Sequence, residues 1–365
     1  MKTSELETYS AYGRYGGSEA FSRLDKYPNL QRLFAGYSFA VEYNEDRGHL
    51  HAVEDVLAIK RLGDQKPGTC MTCKSSQVPG IMEKIGPEAF YATLMKELVA
   101  QYKIEHSISC ADCHEAETMA LRVSRPAFAE AMAGRGVELA KASHQEMRSY
   151  VCGQCHTEYY FRGEGNYLVF PWVAGFTVDE EEAHYDELKF KDWVHAETGA
   201  ELVKVQHPEF ELWSTGIHAR GGVACPDCHM PYRREGAMKI TDHWIRTPLA
   251  DPVNACTTCH RESAEEMRSR VLEIQDRTYE LLTRAEAALV AAQDEIVAAG
   301  AAGVPAAELA DARAFHRRAF LRYDFISAEN SMGFHSPQEA ARILGDAIDF
   351  ARRAELAAVR ARLPR

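Results

Sequence analysis

A chain of 365 residues with 46% hydrophobic content can fill one large domain or two ordinary ones. Its formal net charge of −12 argues against nucleic acid and against an anionic membrane surface as main partners. No stretch approaches the roughly 18–20 apolar residues needed to span a bilayer, and Met1–Ser10 is polar, without the hydrophobic region of a secretory signal.

In chain order, the first marked feature is Cys70-Met71-Thr72-Cys73-Lys74. Gly86-Pro87 then predicts a helix over 88–103, with proline in its first turn. Cys110 and Cys113 follow, with His114 next. Pro126 opens a predicted helix over about 127–148, which runs up to Cys152, Cys155 and His156. Tyr167–Phe170 is the best strand candidate. The fourth and fifth cysteine pairs are Cys225/Cys228 before His229, and Cys256/Cys259 before His260.

Beyond Cys259 the character changes. Residues 263–299 hold no proline or glycine, and Ser263 with Glu266 forms a capping-box pattern. Met267, Val271, Ile274, Leu282, Leu289 and Ile296 recur at helical spacing. A second helix is expected to about 328 and a third, capped by Ser336-Pro337-Gln338-Glu339, to about 360. The apolar stripe reads most simply as core packing, with a subunit contact as the sharper alternative. The fold expected is mainly α with little β structure: a single unit, 1–365, whose region 1–261 binds cofactor and whose region 262–365 forms long closing helices.

All ten cysteines fall in five Cys-x-x-Cys pairs, and histidine follows four of them. Two thiols one helical turn apart can each form a thioether with a porphyrin vinyl group, and the next histidine then reaches the iron. Zinc would gather four ligands from two pairs and strand the fifth, and disulfides would not require the histidines. The expectation is five covalently bound haems c.

Lys74 stands where the other four motifs carry histidine. A ligating lysine must be neutral, and losing its proton at neutral pH costs on the order of 4–5 kcal/mol. An amine-ligated iron differs electronically from its neighbours. Irons with two histidines are saturated and pass electrons only, so the lysine site is the catalytic candidate. A pure electron carrier would instead need a sixth ligand on every iron.

One C-x-x-C-K followed by four C-x-x-C-H resembles the pentahaem, ammonia-forming cytochrome c nitrite reductases. Further segments share the resemblance: Arg47-Gly48-His49, Glu158-Tyr159-Tyr160-Phe161, Gln206-His207-Pro208, Gly216-Ile217-His218, Thr241-Asp242-His243 and Gly333-Phe334-His335-Ser336-Pro337. The resemblance implies proximal ligands Lys74, His114, His156, His229 and His260. It implies distal ligands His243, His49, His335 and His218 for the second to fifth haems. Arg61, Tyr159 and His207 would line the open face of the first haem. Glu158 and Gln206, with main-chain oxygens of Tyr159 and Lys204, would hold calcium.

The remaining histidines, His51, His106, His144, His184, His195 and His316, read as ordinary surface or core residues. The resemblance further implies a periplasmic homodimer that reduces nitrite to ammonium, fed by a multihaem cytochrome donor, with the signal peptide already removed. Sulfite and hydroxylamine are the rival substrates. The twelve residues between Arg61 and Lys74 form a shorter link than in the family's enterobacterial members.

Overall fold

The computed structural model describes residues 21–363, so the polar segment Met1–Ser10 lies outside the described residues. Among the described residues, strands form three two-stranded antiparallel ladders, and the rest is helix and loop. They are β1 (Tyr160–Arg162) with β2 (Tyr167–Val169), β3 (Trp193–Val194) with β4 (Glu201–Leu202), and β5 (Tyr232–Glu235) with β6 (Met238–Thr241). The expected strand at Tyr167 is present, and Leu168 pairs with Phe161 across the ladder.

The helix expected over 88–103 is two helices, α1 (Pro87–Ala92) and α2 (Met95–Tyr102). The break has a physical cause. Thr93 O accepts from Gly68 N at 2.7 Å, and Met95 N donates to Lys66 O at 2.8 Å. Backbone groups at the break thus serve the segment leading into Cys70. Gly68 is obligatory there, because a Cβ would lie 2.2 Å from the Phe90 carbonyl oxygen.

The helix expected over 127–148 also divides, into α3 (Pro126–Gly134) and α4 (His144–Gly153). Gly136, at φ +76°, turns the chain after α3. A capping box then starts α4: Glu146 N donates to Ser143 Oγ at 3.2 Å, and Ser143 N to the Glu146 carboxylate at 2.7 Å.

Three long helices close the chain: α5 (Ala264–Ala301), α6 (Ala310–Ala328) and α7 (Pro337–Arg362). The Ser263–Glu266 box forms as expected, with Glu266 N to Ser263 Oγ at 3.2 Å. At 38 residues, α5 is about 57 Å long. Met267, Val271, Leu282, Leu289 and Ile296 are buried within the chain, and Ile274 is half-buried. Leu282, Ala285, Ala288 and Leu289 share one core with Phe320, Leu321, Ile343 and Leu344, so the stripe serves this chain's own core.

The expected cap on α7 is absent. Ser336 makes no side-chain cap bond, and Arg342 takes the Glu339 carboxylate at 2.6 Å. Pro337 still opens the helix, where its missing N–H costs nothing.

A second core gathers Val53, Met71, Val78, Phe90, Leu98, Phe128, Trp172 and Phe210 around the first cysteine motif. The eight cysteines of the other four motifs lie in neither core. Among the described residues, no helix is long and apolar enough to cross a membrane.

Candidate haem centres and active site

Each histidine motif lies on a short turn or helix. Cys110–Cys113 and Cys225–His229 are helical, and Asp112 and Asp227 accept the N-cap N–H groups of Ser109 and Ala224 at 2.7 and 2.8 Å. His114, His156 and His260 each donate N–H to the carbonyl of the motif's first cysteine, at 2.8, 3.0 and 3.0 Å. Lys74 departs from this: its N–H reaches Met71 O at 3.0 Å, one residue nearer. The lysine motif is therefore wound more tightly.

Four histidine pairs face each other. The ring centres are 6.2 Å apart for His114 and His243, and 6.0 Å for His49 and His156. They are 6.3 Å apart for His229 and His335, and 6.2 Å for His218 and His260. Two metal–imidazole bonds of about 2 Å, plus roughly 1.1 Å from each nitrogen to its ring centre, require about 6 Å. The residues fit bis-histidine haem.

Three of the second ring nitrogens have carbonyl partners. Nδ1 of His114, His229 and His243 faces the carbonyl oxygens of Met119, Arg246 and Thr241 at 2.8, 3.0 and 2.9 Å. That leaves Nε2 for metal. Burial, helped by nearby positive charge, pushes His49 down to about 3 and His156 and His229 to about 4. These rings are neutral at physiological pH, which is the ligating form. For His335 burial also acts downward, but the adjoining Glu329 carboxylate outweighs it. Gly216 explains a glycine in the His218 segment, since a Cβ there would lie 2.1 Å from the His335 carbonyl oxygen.

The motifs also approach one another. The Cys73 thiol sits against Cys155, and Cys225 against Cys152, so that contact lowers one thiol of each pair and raises the other. The first motif thus adjoins the third, and the third adjoins the fourth.

Around the lysine motif the chain collects polar groups. Lys74 Nζ donates to Asp46 Oδ2 at 2.8 Å. Burial would lower the Lys74 pKa, but Asp46 outweighs it and holds it raised. Conversely, burial would raise Asp46, yet Lys74, His207 and Arg61 together hold it below the usual carboxylate range. A neutral amine still carries two N–H groups, so Asp46 remains a partner for a ligating Lys74.

His207 is pushed down to about 3 by burial and then by the Lys74 charge. Tyr159 is pushed well above its ordinary value by burial and by the Cys73 and Cys70 sulfurs, and its ring stacks on Phe161 at 5.7 Å. The Arg61 guanidinium lies 4.2 Å over the Phe39 ring. Arg61, Lys74, Tyr159 and His207 therefore share one electrostatic neighbourhood. Asp46 was not among the sequence candidates, although it directly precedes Arg47-Gly48-His49.

Nearby, Glu158 Oε1 accepts from Tyr185 Oη at 2.7 Å and Oε2 from Gln206 N, while Gln206 Nε2 donates to Lys204 O at 3.2 Å. Glu158, Glu181 and Glu211 are all buried, and burial first, then mutual repulsion, raises Glu158 and Glu181 well above ordinary values. Lys204 does not balance them fully, because its ammonium pairs with Asp324 at 3.0 Å. Among the described residues no group of three or more His, Cys, Asp or Glu side chains could hold a metal ion. The calcium set implied by the resemblance has one carboxylate, Glu158, with one amide and two main-chain oxygens, donors that suit that cation. A cation bound there would offset the burial and mutual repulsion that raise these carboxyls.

Of the histidines read as ordinary, His195 and His316 are buried, with Gln293 Nε2 at 3.3 and 3.2 Å from their Nε2 atoms.

The cytochrome c552 family model matches residues 1–363. The chain belongs to the cytochrome c552 family. Cytochrome c-552 of Bacteroides fragilis is 45% identical over 350 residues, covering 94% of this chain and 71% of the relative. Cytochrome c-552 of Porphyromonas gingivalis is 43% identical over 372 residues, covering 98% and 74%. Among solved structures, the catalytic subunit (NrfA) of cytochrome c nitrite reductase from Desulfovibrio desulfuricans superposes with a TM-score of 0.90. It is 33% identical and covers 97% of this chain and 84% of that one. The chain is thus a mainly helical multihaem cytochrome c of the c552/NrfA nitrite-reductase family.

Proposed function

We propose that this protein reduces nitrite to ammonium in a six-electron reaction at the haem attached through Cys70 and Cys73 and ligated by Lys74. Four bis-histidine haems supply that centre. The carrying observation is an asymmetry. Four motifs have a second histidine across about 6 Å, whereas the lysine motif has Arg61, Asp46, Tyr159 and His207 around it. The Desulfovibrio relative is described as a nitrite reductase with two calcium sites.

When bound, haem c supplies the iron that accepts and passes on electrons. The chain supplies the rest. Arg61 attracts and orients the nitrite anion through a fixed, permanently charged fork. His207, neutral at physiological pH, donates its ring N–H to substrate oxygen, and Tyr159 offers an O–H beside it. Asp46 holds the amine of Lys74 and, by repulsion, keeps the anion on the Arg61 side.

Lys74→His is expected to keep the full haem complement while changing nitrite turnover. Unchanged kinetics with all haems attached would remove the special role of lysine.

Glu158, Gln206 and the main-chain oxygens of Tyr159 and Lys204 bind calcium in this reading, tying the Tyr159 and His207 segments together. Metal analysis after mild chelation is expected to find calcium retained, and harsher stripping to lower turnover. Absence of calcium from the purified protein would end this part of the proposal. Periplasmic location, a multihaem cytochrome donor and a homodimer belong to the same reading. For the dimer, α5 offers Leu272 and Tyr279, seven residues apart and both more than 40% exposed.

A further inference from the structure

The ligand histidines differ in what holds Nδ1. For His114, His229 and His243 it is a neutral carbonyl oxygen. For His335 the neighbour is a carboxylate: Glu329 Oε1 lies 2.6 Å from Nδ1 as a close charge contact, out of line for a hydrogen bond, and the Glu329 side chain is fully buried. Its other oxygen is pinned by Ser331 Oγ at 2.8 Å and by Gly333 N at 3.4 Å. Those bonds fix the carboxylate within the turn that delivers His335, whose own N–H donates to Ser331 Oγ at 2.9 Å. Glu209 comes within 4.0 Å of His156 Nδ1, beyond hydrogen-bond reach.

A carboxylate beside Nδ1 polarises the ring and makes the opposite nitrogen a stronger donor. It also places a fixed negative charge a few ångströms from the metal, where low dielectric preserves its effect. Both stabilise the oxidised iron over the reduced one.

We infer that Glu329 is a positioning and tuning residue that makes the haem between His229 and His335 more reducing than a carbonyl partner on His335 would. This rests on the reading of His335 as that haem's distal ligand.

The test is a spectroelectrochemical titration of haem-loaded wild type, Glu329→Gln and His335→Ala, each checked for haem content. Glu329→Gln is expected to raise the potential of a single low-spin haem by about a tenfold change in its reduction equilibrium, roughly 59 mV for one electron. The other low-spin haems are expected to stay in place, which a general packing defect would not achieve. Unshifted potentials throughout overturn the role of Glu329. His335→Ala is expected to convert one low-spin haem to high spin. Retention of every low-spin signal there overturns the ligand reading itself, separately from the role of Glu329.

If Glu329→Gln fails to load haem, Ser331→Ala serves instead. It strips one hydrogen bond from the carboxylate but leaves the charge, so the same haem should shift downward. No shift in that variant overturns the proposal.

Discussion

Arg61→Ala is expected to cut kcat/KM for nitrite by roughly 10²–10³, the range found when one preorganised electrostatic donor is removed from an active site. The loss should be severe because of Asp46. With Arg61 present, the carboxylate is held by Lys74, His207 and Arg61. Without it, a carboxylate faces an incoming anion with less positive charge around it. Arg61→Lys should recover attraction but not fork geometry, giving an intermediate rate. The folded state should change little. Arg61 contributes a stack on Phe39 and a long 3.4 Å bond to Glu42 O. Steady-state kinetics on haem-loaded protein measure this, and a rate within a few-fold of wild type would take Arg61 out of the site.

Arg125→Leu is expected to destabilise the chain by about 3–5 kcal/mol, the usual cost of leaving one partner of a buried ion pair alone. Arg125 is 1% exposed and binds Asp112 at 2.6 Å. Its Nε donates to Thr72 O at 2.7 Å and its Nη2 to Ser75 O at 3.1 Å. One guanidinium thus joins the turn of the lysine motif to the turn of the second motif, where Asp112 also caps Ser109. Removing it takes the charge partner from buried Asp112 and the side-chain donor from Thr72 O, while Ser75 O keeps its bond from Val78 N at 3.3 Å. Denaturant unfolding, with haem content as a second readout, should show the loss. A change under about 1 kcal/mol would mean that covalent attachment, not Arg125, sets the spacing of the two turns.

The sequence was most legible where a local rule and the tertiary structure agree. The Ser263–Glu266 box, the run to Ala301 and the stripe from Met267 to Ile296 are all determined within one helix. Legibility failed where a distant segment claimed local groups. Thr93 and Met95 read as helix interior, but the approach to Cys70 takes the Thr93 carbonyl and the Met95 N–H. Ser336 and Glu339 match a capping box, but Arg342 takes the carboxylate. The break before α4 was legible in principle, since Gly134, Gly136 and the Ser143–Glu146 box mark it, and the apolar run through Pro126 obscured them.

The site shows the same division. Cysteine spacing is legible directly, and with it the attachment points proposed for haem. Histidine pairing depends on segments up to more than a hundred residues apart, such as His49 and His156, and spacing alone carries no trace of it. Asp46 and Glu329 escaped because an acidic residue in a loop is ordinary until the structure brings a lysine or histidine to it.

Ammonium production from nitrite by purified, haem-loaded protein, with reduced viologen as donor, tests the central claim most directly. The account predicts ammonium equal to the nitrite consumed. A full haem complement that consumes no nitrite would contradict it, leaving an electron carrier or a reductase of another small species.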